Sequence, residues 1–253
     1  MVAAIKKISL VLIAGSIVII CNSIKKYPGR NNKTGVVKIS FVNTVKAAPL
    51  VLDSVEYTNP SGESYRISKL KYYISNITLN NAVHQFAEHD SYHLLDAGDT
   101  ATLSFSFNTA VNNYSSISFV VGVDSIKNVS GAQSGALDPA NGMFWTWNSG
   151  YVMFKLEGNS SASTIINHRI EYHIGGFEEP NSVLQTITLP LQLSIAENRN
   201  SEIIITADLD KLWHGINNVT IAATPATMTP GVLSKKIADN YNRMFSVKEV
   251  LNK

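Results

Sequence analysis

The sequence predicts an all-β protein, an antiparallel β-sandwich with minor helices, one of them C-terminal. Three observations predict it. Strand-like runs rich in β-branched and aromatic residues recur along most of the chain. Clusters of Gly, Pro, Asn, Asp and Ser separate those runs. Almost no segment is long enough and helical enough to serve as a crossover between parallel strands, so the sheets are expected to be largely antiparallel.

The elements follow in order. "VVKISFV" at 36–42 puts Val37, Ile39 and Phe41 on one side and Lys38 and Ser40 on the other, a half-buried strand. The runs at 65–79, 114–123, 151–158, 167–176, 182–193 and 202–208 continue the pattern. The turns between them read "NPSGES", "DAGDT", "NVSGAQSG", "DPANG", "GNSSAS", "EEPNS" and "ENRNS". "DLDKLWHG" at 208–215 predicts one or two helical turns. In "SKKIADNYNRMFSVKEVLNK", Ile237, Tyr241, Met244 and Phe245 fall at helical spacing behind Ser234, a candidate cap. No linker interrupts 36–253, which is read as one domain.

The N-terminus has a separate logic. Lys6 and Lys7 precede a run from Ile8 to Ile20 that is apolar apart from Ser9, Gly15 and Ser16. A membrane-spanning helix needs ~20 apolar residues, so this run fits the apolar region of a signal peptide. Cys21, the single cysteine, closes it, and a polar stretch follows. The order matches a bacterial lipoprotein signal: residues 1–21 as signal peptide with Cys21 as the lipidated position, 22–35 as tether. Ile20 departs from the small residue usual before such a cysteine. An ordinary signal peptide is the other reading, and both place the domain outside the cytoplasm, on the first reading as a lipoprotein of the outer membrane. With one cysteine no internal disulfide is available, so stability must come from the core.

Composition excludes some functions. The chain has 253 residues, 45% of them hydrophobic and 16% charged, with net charge +2. Much of the basic excess lies in Lys6, Lys7, Lys25, Lys26, Arg30 and Lys33, so the folded part lacks the basic face of a nucleic-acid binder. There is no GxSxG, phosphate-cradling glycine loop or HExxH, and no nucleophile–base pair is visible, which argues against an enzyme.

Candidate ligands remain. In "NHRIEYHIGG", strand alternation places Arg169, Glu171 and His173 on one face and His168, Ile170 and Tyr172 on the other. His173 runs into a Gly-Gly pair, where backbone approaches closely. In "SYHLLD", His93 and Leu95 share a face. Neutral imidazole suits copper, zinc and iron, and a structural histidine is the alternative for each. Trp145 and Trp147 lie on one side of an extended segment and serve either as core, as a ligand platform or as a cover for a metal. Asp124, Asn128, Gln133 and Asp138 carry oxygens in a loop-rich segment at 121–142, without the spacing of an EF-hand, and a packed surface loop is expected there.

Taken together, "ISKLKYYISNITL", "YHLLDAGD", "ISFVVGVDSIKNVSGAQSGALDPANGMFWTWNSGYVMFKLEG" and "EYHIGGF" resemble the MbnP-like copper-binding family over most of 36–245. Met-Phe-Trp-x-Trp-x-x-Gly-Tyr followed later by His-x-Gly is the most specific part. Asp53-Ser54-Val55 and Asp124-Ser125-Ile126 resemble O-glycosylation triplets of exported Bacteroidetes proteins, in keeping with that branch of the family. The resemblance implies a non-catalytic, extracytoplasmic copper binder. It implies His173 as a metal ligand and matches Trp145 and Trp147 to the family's paired tryptophans; in relatives a MauG-like dihaem enzyme oxidises a tryptophan to kynurenine, and His93 is the candidate second metal ligand in place of the imidazole missing at Val129. An outer-membrane transporter is a further expected partner. Methanotroph-type members carry a histidine directly after the asparagine of Gly-Val-x-x-x-x-Asn; here that position is Val129, which removes an imidazole. No cysteine follows Gly175-Gly176-Phe177, another departure. A cell-envelope binding or assembly lipoprotein without a metal site is the alternative.

Overall fold

The computed structural model describes residues 33–146 and 150–252. Cys21, the signal segment, most of the tether and Trp147 lie outside the described residues. The chain runs through β1 (Thr34–Val45), β2 (Ala48–Pro49), β3 (Tyr57–Thr58), β4 (Ser64–Asn80), β5 (Gln85–Ala87), β6 (Tyr92–Asp96), β7 (Ser104–Ala110) and β8 (Asn112–Val121). Then come α1 (Ser125–Val129), β9 (Phe144–Trp145), β10 (Gly150–Asn159), β11 (Arg169–Gly175), β12 (Gln185–Ile195) and β13 (Asn200–Asp208). The last elements are α2 (Asp210–Trp213), β14 (Ala226–Thr227), α3 (Val232–Ala238) and β15 (Phe245–Asn252).

Two sheets face each other, as the alternation predicts. The smaller has the order β15-β13-β1-β2, with β7 also on β1. The larger has the order β12-β8-β4-β10-β11-β14, with β3, β5 and β6 added to β4 and β9 to β10. Val37, Ile39 and Phe41 of β1 and Ile203 and Ile205 of β13 meet Tyr72 and Ile74 of β4, Phe119 of β8 and Phe154 of β10, all buried. Each such side chain contributes roughly 1.5–3 kcal/mol by leaving water. Phe41 is central: it meets Phe119 edge-on at 6.0 Å and Tyr72 at 6.4 Å. The Tyr72 hydroxyl donates to Asn43 Oδ1 at 2.8 Å, so the buried phenol and the Asn43 oxygen satisfy each other, while the Asn43 amide nitrogen has no partner among the described residues. Pro190 sits in β12, an edge strand of the larger sheet, where a missing N–H is tolerated.

Three features differ from the expectation. The pairing of β1 with β13 is parallel, from Val36 opposite Asn200 to Thr44 opposite Asp208, as is the short β11–β14 pairing. The excursion between β1 and β13 builds most of the second sheet, and this long path replaces the crossover helix that a parallel pair otherwise needs. β7 was not expected. Phe105 and Phe107 alternate with polar residues there, and only that half-buried face packs on the core. The C-terminal helix is shorter than expected: α3 ends at Ala238, a 3-10 turn covers Asp239–Arg243, and Phe245–Asn252 is the strand β15 on β13. Ile237, Tyr241, Met244 and Phe245 are all buried as their spacing requires, but β15 takes the open backbone edge of β13. Ser234 does not cap α3; it is buried inside the helix and donates to the Thr229 carbonyl, while Gly231 holds the cap position.

The loop-rich segment after β8 folds over the outer face of the larger sheet. Val123, Leu137, Met143, Trp145, Tyr151 and Val152 form a second apolar cluster there with Tyr73 of β4. Two of the segment's carboxylates serve as caps. Asp124 caps α1 and accepts from Tyr92 and Asn76. Asp138 caps the 3-10 turn Pro139–Asn141. Tyr73 and Tyr151 donate to the Ala136 and Leu137 carbonyls, pinning the segment to the sheet.

Candidate metal-binding face

β11 alternates as expected. Ile170, Tyr172 and Ile174 enter the core, which leaves Arg169, Glu171, His173 and Gly175 on the outer face. His173 stands opposite Lys155 of β10, which stands opposite Lys71 of β4, which stands opposite Asp96 of β6. Glu157 is two residues further along β10, opposite Lys69 of β4. These rungs carry a charge network. His173 Nε2 lies 2.8 Å from Glu157 Oε1, and Lys69 Nζ donates to Glu157 Oε2 at 2.8 Å. Lys71 pairs with Asp96 at 2.9 Å. Lys155 donates to the Gly142 carbonyl, and Lys71 reaches the Asn141 carbonyl at 3.4 Å. The two lysines thus hold the C-terminal carbonyls of the Pro139–Asn141 turn, where cations are favourable.

Burial pushes the His173 imidazole below its usual pKa, and the Glu157 contact opposes that only in part. Burial on its own raises the Glu157 carboxyl, but the hydrogen bonds with Lys69 and His173 outweigh it and hold the group below the usual carboxylate range. Burial also lowers Lys155. At neutral pH the face therefore presents a neutral imidazole backed by an ionised carboxylate.

The two tryptophan and histidine motifs meet at Gly175. A Cβ on Gly175 would lie 2.6 Å from Trp145 Cζ3 and 2.5 Å from the Tyr151 carbonyl oxygen, so the residue is glycine because the indole lies on its backbone. Gly176 follows with φ of +119°, a conformation that side chains rarely adopt. Gly175 and His173 share a face two residues apart, roughly 7 Å along a strand, which places Trp145 beside His173. Trp145 is 6% exposed and part of the second cluster. Beyond it opens a cleft of about 320 Å³ lined by Trp145, Tyr151, Phe177, Glu178, Glu179 and Asn128.

His93 does not join His173. It pairs across β6–β4 with Ile74, on the core side of the sheet, and its ring stacks on Phe105 of β7 with centroids 3.4 Å apart at 4°. Its Nε2 lies 3.0 Å from Glu88 Oε2. His93 and His173 are thus on opposite faces of the larger sheet, and one ion cannot take both. Among the described residues no three His, Cys, Asp or Glu side chains converge as a metal cage, and this includes Asp124 and Asp138.

A sequence model of the MbnP family matches residues 34–230. The chain belongs to the MbnP family. Its structure is similar to that of MbnP from Methylosinus trichosporium, with a TM-score of 0.50 and 14% identity, covering 79% of this chain and 82% of that one. At this identity the likeness is one of fold. No curated protein matches the chain.

The MbnP match includes His173, Trp145 and the whole of the charged face, and ends before α3 and β15. Within this MbnP domain, Asn128 proves structural. It is 1% exposed, its amide donates to the Val123 and Asp124 carbonyls, and its Oδ1 accepts the Tyr151 N–H at 3.0 Å. Val129, the next residue, is 72% exposed at the end of α1. Asn128→Ala is expected to cost about 2–3 kcal/mol, because it takes the side-chain partner from the buried Tyr151 N–H and from the Val123 carbonyl, while the Asp124 carbonyl keeps the Asn128 backbone N–H; urea unfolding at constant m-value measures it. Sequence reasoning missed Glu157. The alternation of "YVMFKLEG" puts Lys155 and Glu157 on one face, which was the available signal, but their partners belong to strands far away in sequence.

Proposed function

We propose that this MbnP-family protein handles copper outside the cytoplasm, by binding and not by turnover, with His173 as its imidazole ligand. The observation that carries the reading is the convergence of the two family motifs: Trp145 lies on Gly175, two residues from His173 on the same strand face. The donor chemistry fits one ligand of such a site. His173 is a neutral imidazole with a carboxylate behind it, the arrangement that orients metal-bound histidines. Bound copper would supply soft-ion coordination to nitrogen. Lys155 on the neighbouring strand penalises a dication more than a monocation by Coulomb repulsion, which favours Cu(I) over Zn(II). Attachment through Cys21 to the outer membrane follows from the apolar run that precedes it and belongs to the same proposal.

The test is competition between the purified full chain and a chromophoric Cu(I) chelator. Wild type is expected to take one Cu(I). Changes behind a metal ligand typically cost 10–100-fold, so loss of the ligand itself in His173→Ala should cost at least ~100-fold. His93→Ala should bind as wild type does. A His173→Ala protein that keeps full affinity removes His173 from the site.

A second reading has its own support. Among the described residues no group of three His, Cys, Asp or Glu side chains forms, His93 lies on the other face of the sheet, and Val129 stands where methanotroph-type members carry a histidine. On this reading the chain is a cell-envelope binding or assembly lipoprotein that uses the cleft beside Trp145. Protein isolated from its native membrane without copper, and with an intact mass showing no oxidised tryptophan, would select it.

A further inference from the structure

We infer that Glu157 is a positioning residue: it holds His173 in the tautomer with hydrogen on Nε2 and so leaves Nδ1 as the bare nitrogen. This deepens the copper reading and rests on it for the ion, though not for the tautomer. A neutral imidazole carries one N–H, and the group facing each nitrogen decides which. Glu157 faces Nε2 at 2.8 Å. Its other oxygen accepts from Lys69 at 2.8 Å, an obligate donor that keeps the group a carboxylate and hence acceptor-only. The hydrogen between Glu157 and His173 must therefore sit on Nε2.

The other charged side chains of the face have partners of their own. Glu171, opposite Glu157, is engaged by Arg169 at 3.2 Å. Lys71 is engaged by Asp96, and Lys155 by the Gly142 carbonyl. Glu157 is the diagonal neighbour of His173 across β10–β11, two residues along from Lys155, and stands directly opposite Lys69 of β4, which sets the carboxylate between Lys69 and the imidazole. With one oxygen on Lys69 and the other on the imidazole, Glu157 is placed to orient a ligand.

The experiment uses full-length protein labelled with 15N-histidine and free of metal. Long-range proton–nitrogen correlation at neutral pH reports the tautomer, with His173 assigned from the signal lost in His173→Ala. Wild type should show hydrogen on Nε2. In Glu157→Gln the amide oxygen goes to Lys69, so the NH2 turns to His173; the imidazole then accepts at Nε2 and carries its hydrogen on Nδ1. A merely structural role predicts no such reversal. The same substitution should weaken Cu(I) binding roughly 10–100-fold. Glu157→Ala, a second variant that keeps the fold testable, should give a mixture of tautomers. Hydrogen on Nδ1 in wild type, or a wild-type tautomer in Glu157→Gln, overturns the inference. Wild type with hydrogen on Nε2 that binds no copper sinks the copper reading and leaves the positioning of His173 standing.

Discussion

Gly158→Ala is expected to be the most damaging small substitution in the protein, costing about 3 kcal/mol or more. Overpacking usually costs 1–3 kcal/mol, and more where backbone is the obstacle. A Cβ at Gly158 would stand 1.9 Å from the Arg66 carbonyl oxygen and 2.9 Å from its carbon, and neither can move without separating β4 from β10. Those strands carry Lys69 and Glu157, so the charge network beside His173 should loosen with them. Gly98→Ala is the control. Its Cβ meets only the end of the Asp96 carboxylate at 3.2 Å, so its cost should stay under about 1 kcal/mol. Urea unfolding of both variants decides the matter, and equal midpoints would show that the β4–β10 contact is not tight.

Gly175→Ala is expected to cost about 2–3 kcal/mol and to displace the Trp145 indole. Two obstacles face the new methyl: the indole at 2.6 Å and the Tyr151 carbonyl at 2.5 Å. Trp145→Ala in the same chain removes the first and leaves the second. The double variant should therefore lose less stability than the sum of the single ones, a coupling that a double-mutant cycle reads directly. Additive losses would mean that the indole and Gly175 are not in contact. On the proposed function, the Gly175 variant should also bind Cu(I) more weakly, because β11 must bend next to His173.

The strands were legible where one face is apolar along its whole length. In β1, Val37, Ile39 and Phe41 are buried as their alternation requires, and the same holds for β11 and β13. β7 has only Phe105 and Phe107 to mark it, and β15 follows a helix without a turn signal, so each is a strand because a neighbouring edge accepts it. The candidate site divides in the same way. That His173 shares a face with Glu171, and His93 with Leu95, follows from alternation. That these two faces lie on opposite sides of one sheet does not. Leu95 pairs with the core residue Tyr72, whereas His173 pairs with Lys155 outside.

The sequence by itself determined the sandwich class, most of the strands, which residues of each strand point together, and the motifs that mark the family. Period-two alternation is a local property, and adjacent residues suffice to express it. Only the tertiary structure decided that Trp145 rests on Gly175, that Glu157 and Lys69 stand behind His173, and that His93 belongs to the core rim with Phe105. Those contacts depend on strand order and register, which are set by how two sheets bury their apolar faces together, and a one-residue slip would turn every side chain of a strand to the other face.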